Sequence, residues 1–272
     1  MSFDVSTTAL ELRRKRPPKG RLGLGLANLM MPRALFRRRE TARIAATPFY
    51  QAHPAPGHVR LVDLDARGLV DLELGVFFNR IPKAANSTVV VNLARVKFGC
   101  DIASKHAKKM FLRPSELTGM QLGELETCFK FTFVRDPYSR TLSAYLYRIV
   151  HQKRRYAGLH PSSGKGLPSF AEFCAFLGAG ALYLDTHWAP QTELLVLRLE
   201  DFDFVGRFEN FRADLDKVMS SIHPRAMHQE PARHDAHRTG ASAKLADYYS
   251  PRTRALVAEL YEQDFTAFGY EK

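Results

Sequence analysis

Residues 79–88, "NRIPKAANST", place a lysine, two alanines, an amide and two hydroxyls between the apolar run Val76-Phe77-Phe78 and a second run that begins at Val89. Where a strand ends in a turn that opens a helix, backbone N–H groups point outward at the end where the helix dipole concentrates about half a positive charge. Such a turn suits an anion. Lys83 adds a full charge, and Ser87 and Thr88 add hydroxyls on the first helical turn. The pattern differs from the nucleotide loop G-x-x-x-x-G-K-[ST], because it has no glycine and its lysine lies four positions before the serine. Taken alone, Lys83 reads as a solvated charge beside a turn.

A second strand-to-helix unit, "CFKFTFVRDPYSRTLSAYLYRIV", changes that reading. Phe129, Phe131 and Phe133 alternate as a strand should, Asp136 can cap a helix, and Pro137 sits at the first turn, where a missing N–H costs nothing. Arg135 therefore stands at a strand's C-terminal end, with Arg140 and Ser143 on the following helix. In a parallel sheet these ends converge on the ligand crevice. Two anion-ready turns at one crevice suit a ligand with two separated anionic groups, such as a nucleotide phosphorylated at both ends of its ribose. A local ion pair plus a cap is the plainer account of Arg135-Asp136.

The elements that must position these residues are legible in outline. Val76-Phe77-Phe78 has the pattern of a short buried strand. Ser87–Phe98 reads as a helix with Val89, Val90, Leu93 and Val96 on its apolar face and Gly99 at its end. Ser115–Thr127 looks helical, the helix from Pro137 runs past Val150, and Ser169 opens another. Residues 202–208, "FDFVGRF", look strand-like and precede a helix over 209–222; a last helix starts from Ser250 with Pro251 in its first turn. Strands alternating with helices indicate an α/β domain with a mainly parallel sheet. Residues 1–45 form a basic arm with a Gly/Leu/Met stretch, and residues 46–272 a single domain.

Forty Lys and Arg against 28 Asp and Glu give a net charge of +12, which points to an anionic partner without choosing among nucleic acid, acidic lipid, polyanionic sugar and nucleotide. Cys100, Cys128 and Cys174 are an odd, scattered set with no C-x-x-C pair, so neither a zinc site nor a disulfide framework is expected. No apolar run approaches the roughly 20 residues of a membrane span. A cytoplasmic location is expected, with the basic arm as a means of peripheral membrane association.

"RIPKAANST" resembles the 5′-phosphosulfate loop, and "FKFTFVRDPYSRTLSAYLYR" the 3′-phosphate motif, of carbohydrate sulfotransferases that use 3′-phosphoadenosine 5′-phosphosulfate (PAPS). The resemblance is to the group of chondroitin, dermatan and HNK-1 type, with its bacterial relatives. It extends through "HWAPQ" (187–191), "DFVGRFENFRADLDKV" (203–218) and "YYSPRTRALVAELYEQDFTAFGY" (248–270). It implies a P-loop-NTPase-like three-layer α/β fold, with a central, mainly parallel sheet flanked by helices. It also implies sulfuryl transfer to a hydroxyl of a carbohydrate, a polysaccharide or glycan, without metal and with no nucleic acid as partner.

On that resemblance Lys83 contacts the phosphosulfate, and the backbone at Ala84, Ala85, Asn86, Ser87 and Thr88 holds the 5′-phosphate together with the two hydroxyls. Ala85 stands where many members have glycine. Arg135 and Ser143 bind the 3′-phosphate; Arg140 either helps there or holds its helix against the sheet. The acceptor hydroxyl must lose a proton to a base. His187 in "HWAPQ" is the first candidate, against the alternative of a core histidine packed by Trp188, while His106, His151, Asp185 and Glu193 stay open. Arg238, with Arg233 and His237, lies in a basic loop that could close over the nucleotide, and Lys153, Arg154 and Arg155 could receive an acidic polysaccharide. A P-loop-like kinase and a polyanion-binding or nucleic-acid-binding protein are the competing readings.

Overall fold

The computed structural model describes residues 33–222 and 239–272. Its centre is a four-stranded sheet in the order β1 (Gly68–Asp71), β2 (Val76–Asn79), β3 (Phe129–Val134), β4 (Phe204–Arg207). β2, β3 and β4 are parallel, with Phe78 opposite Phe131 and Thr132 opposite Val205; β1 is an antiparallel edge strand. The expected α/β class with a mainly parallel sheet is what the chain adopts.

β2 is buried along its whole length because both faces of the sheet are covered, which is why Val76–Phe78 is a continuous apolar run. On one face Phe78, Phe131 and Phe133 pack with Val89, Val90 and Leu93 of α2 (Asn86–Phe98) and with Leu215 and Val218 of α6 (Phe211–Ile222). On the other, Phe77 and Val134 meet Phe49 and the segment Leu194–Leu197. A third apolar cluster joins α4 (Pro137–Tyr145) to α5 (Phe170–Phe176), α7 (Pro251–Leu260) and α8 (Glu262–Phe268) around Trp188, which is fully buried. At Gly206 a Cβ would come within 2.5 Å of the Phe133 ring, so only glycine lets β4 pass it.

The local signals for helix starts hold. The side chains of Asp136, Ser169 and Ser250 accept the amides of Ser139, Glu172 and Thr253. α4 continues through Leu146–His151 as a π-helical turn, so the helix does run past Val150. The helix expected over 115–127 is divided: Pro114–Glu116 form one tight turn, and α3 (Gly119–Glu126) starts afresh from Thr118, whose capping box with Gln121 fixes the break. β1 carried no strand signal, being four residues long, and the bonds it makes are with β2 and Leu112. In the segment that precedes the sheet, α1 (Arg33–Ala45) is a basic helix whose Ile44 is buried.

Candidate active site

Because β2 and β3 are parallel, their C-terminal ends open on the same edge of the sheet, and the two anion-ready turns meet there. One Nη of Arg135 donates to the Lys83 carbonyl at 3.2 Å. The first turn is built from left-handed backbone without glycine: Lys83 has φ 70° and Ala85 φ 56°. Strain of this kind persists where the surroundings over-determine it, and it gathers at ligand sites. Ala85 occupies the N-cap position of α2 with no side-chain cap; the Thr88 amide donates to the Ala85 carbonyl at 2.9 Å, while the amides of Asn86 and Ser87, ahead of it, have no acceptor within the helix and suit an external one. Beside them Lys108 donates to the Ser87 hydroxyl at 2.9 Å.

In the second turn Arg135 is only 4 % exposed. Its Nε donates to Ser139 Oγ at 2.9 Å, its other Nη to Ser242 Oγ at 3.0 Å, and its guanidinium lies 4.0 Å from the Phe208 ring centroid. Burial brings its pKa down to about 10, against the pull of Glu209 and Asp136. The local ion pair with Asp136 is absent from its hydrogen bonds: the Asp136 carboxylate caps α4 instead. Ser143, also buried, exchanges a hydrogen bond of 3.0 Å with Thr239. Arg238, Arg233 and His237 lie outside the described residues.

Arg140 is 1 % exposed and donates to three carbonyls, those of Pro82 (3.1 Å), Ala189 (2.9 Å) and Thr186 (3.3 Å). Of its two expected uses, this geometry is that of the brace, tying α4 to the lysine loop and to the "HWAPQ" segment. Gln191 of that segment accepts the Arg135 amide and donates to the Arg135 carbonyl, at 2.9 and 2.8 Å. Asp264 of α8 in turn accepts the amides of Gln191 and Thr192.

Lys83 and His187 come together at one ring. Lys83 Nζ stands 4.1 Å from the centroid of Tyr147, and the His187 imidazole stacks on the same ring at 5.7 Å. Burial, followed by Arg135, Arg148 and Arg140, lowers Lys83 to about 8. His187 Nδ1 is 2.8 Å from Asp185 Oδ1, and the second Asp185 oxygen accepts from Arg148 and from Tyr156. Burial opposes the charge on Asp185, but His187 and Arg148 hold its carboxyl below the usual range. Burial and the cations Arg148 and Lys83 outweigh Asp185 and lower His187 to about 4. The pair is thus a carboxylate and a neutral imidazole, with Nδ1–H donated to Asp185 and Nε2 left as the acceptor.

Trp188 turns away from this imidazole and donates its Nε1 to the Ala181 carbonyl. Of the other candidate bases, His106 is exposed, Glu193 is 3.1 Å from His58 Nδ1, and His151 stacks on the outer part of the site against Tyr147 at 6.2 Å.

Tyr147, Lys108, Gln191 and Ser242 were not singled out from the sequence. Tyr147 lies one turn beyond Ser143 on the same helix, a spacing that could have found it. Nothing near Lys108 in the sequence marks it.

The model of the sulfotransferase family matches residues 68–271. Carbohydrate sulfotransferase 14 of Mus musculus is 29% identical over 197 residues, covering 66% of this chain and 51% of the relative. The Homo sapiens protein of that name is 30% identical over 175 residues, 58% of this chain and 46% of its own. Carbohydrate sulfotransferase 8 of Homo sapiens is 28% identical over 177 residues, 56% and 41%. The chain thus spans about half the length of the curated relatives it matches. No solved structure matches it. Among the described residues no helix is long and apolar enough to cross a membrane.

Proposed function

Since the chain belongs to the sulfotransferase family, we propose that it transfers a sulfuryl group from PAPS to a hydroxyl of a carbohydrate. The observation that carries this reading is the hydrogen bond from Arg135 to the Lys83 carbonyl, which makes one crevice of two cationic turns. Bound there, PAPS supplies a sulfuryl group on a good leaving phosphate. The uncapped start of α2 and the hydroxyls of Ser87 and Thr88 suit its 5′ end. Arg135 and Ser143 suit the 3′-phosphate, with Arg135 already oriented by Ser139, Ser242 and Phe208.

Lys83 places its charge where the bridging oxygen gains electrons as the S–O bond breaks, and its partial burial strengthens that interaction. His187 Nε2 takes the proton that the acceptor hydroxyl loses as its oxygen bonds to sulfur, while Asp185 fixes the tautomer. Tyr147, in contact with both residues, sets their spacing. Arg140 holds the loop and the base segment in register without touching the donor.

The desulfated donor, 3′-phosphoadenosine 5′-phosphate (PAP), tests the donor site without any acceptor. It should raise the melting temperature of the protein, and Lys83→Ala and Arg135→Ala should each weaken the effect. No shift in the wild type would defeat the proposal. Labelled sulfate supplied as PAPS to a panel of glycans then reads the acceptor.

A further inference from the structure

Most of the net charge of the chain lies outside the crevice described above. Residues 1–45 hold 11 of the 40 Lys and Arg and three of the 28 Asp and Glu, so they carry +8 of the net +12 and the rest of the chain carries +4. No Asp or Glu stands between Glu11 and Glu40, so the cations of this segment have no counter-charge within it. Charge so concentrated points to an anionic partner of its own.

The end of the segment is a helix that its domain scarcely covers. α1 is 13 residues long, a length at which an isolated helix is marginal in water. Among its described side chains only Ile44 is buried, where it joins the core around Phe49 and Leu64. The chain just after it ties down the last turn: Thr47 Oγ1 donates to the Ile44 carbonyl and Gln51 Nε2 to the Ala45 carbonyl, both at 2.7 Å. Leu35, Arg37, Arg38, Arg39 and Arg43 are exposed, Leu35 at 43 %. At about 3.6 residues per turn, Leu35, Arg38, Arg39 and Ala42 share the face opposite Ile44. The helix is held at one end and turns a basic face with an exposed leucine outward.

The composition says which surface that face fits. Arms that bind nucleic acid set polar and aromatic side chains among their cations to reach or stack on bases. Residues 12–35 contain no aromatic residue, and they place Leu22–Met31, a run of Leu, Met, Ala and Gly with one Asn, between Arg21 and Arg33. Ten residues are too few to span a bilayer and suit its interface. Headgroups of an anionic bilayer take the flanking charge, and the boundary beneath them takes the leucines.

We propose that α1 and the basic, apolar segment before it form an interfacial binding surface for a membrane rich in anionic phospholipid, which holds the folded domain at the bilayer. Neither cationic turn of the crevice takes part, so the proposal is independent of the donor reading.

The test is co-sedimentation of the chain with vesicles of phosphatidylcholine alone and of phosphatidylcholine with about one-third phosphatidylglycerol, beside anisotropy with a DNA duplex. The wild type should bind the anionic vesicles at least about tenfold more tightly than the neutral ones, and release most of them at about 0.5 M salt. Arg38→Gln should cost about fivefold, and Arg37→Gln, Arg38→Gln and Arg39→Gln together about 10²-fold. Lys153→Gln, Arg154→Gln and Arg155→Gln together remove as much charge from an exposed loop and should cost less than about threefold. Leu26→Ser with Leu29→Ser should weaken vesicle binding about tenfold and leave DNA binding unchanged. The arginine variants should melt within about 2 °C of the wild type; where the triple variant melts earlier, Arg38→Gln alone decides.

Failure to bind vesicles, equal binding to neutral and anionic ones, or an equal loss in the loop variant overturns the proposal. So does vesicle binding that the leucine changes leave intact, because the segment would then be a general polyanion contact of the kind that nucleic acid uses.

Discussion

Lys83 gives the sharpest prediction, because its charge is set by its surroundings. A free lysine keeps its proton to above pH 10, whereas burial and three neighbouring arginines hold Lys83 to about 8. In the free protein it is then about nine-tenths protonated at pH 7 and about one-tenth at pH 9. The phosphates of PAP are fully ionised over this range. Affinity for PAP should therefore fall about tenfold between pH 7 and pH 9, with the steep part near pH 8. Lys108 also lies near 8 and touches Ser87, so it has to be separated. Calorimetric titration at half-unit steps does so: Lys83→Met should bind weakly and lose the alkaline limb, and Lys108→Met should keep it. A flat wild-type profile to pH 9.5 would refute the reasoning, and so would a limb that survives in Lys83→Met.

Three further outcomes follow from the geometry. Asp185→Asn should lower kcat about 10²-fold with PAP affinity unchanged, since it loosens the His187 tautomer and frees Arg148; an unaltered kcat would exclude His187 as the base. Arg140→Met leaves three carbonyls without donors and should cost about 3 kcal/mol, a fall of roughly 6–12 °C in thermal unfolding. Ala85→Gly relieves a left-handed alanine and should add about 1 kcal/mol of stability in a denaturant melt, with transfer retained.

What could be read from the chain was mostly local. The caps at Asp136, Ser169 and Ser250 formed because a short polar side chain, two or three residues before an apolar run, meets its amide within one turn. The continuous apolar run of β2 was legible because both faces of the strand are covered. That the Lys83 and Arg135 turns meet was legible because strand ends and helix starts converge in a parallel sheet.

Other features depend on packing that the sequence does not encode locally. The left-handed backbone of Lys83 and Ala85 has no glycine to mark it. Ser87 and Lys108 are joined across 21 residues, and Gln191 reaches Arg135 across 56. Arg140 could be narrowed only by its three carbonyl partners, because its spacing suits a brace and a ligand equally well.

The relay from Asp264 through Gln191 to the backbone of Arg135 also orders events during synthesis. Both cationic turns emerge from the ribosome well before α8, which carries the carboxylate that steadies one of them. A nascent chain can therefore pair β2 with β3 long before the crevice between the two turns has a fixed shape. PAP should accordingly protect a released chain that contains α8 from protease and leave a ribosome-bound chain stalled before Asp264 unprotected. Competence to bind the donor would then follow synthesis of α8.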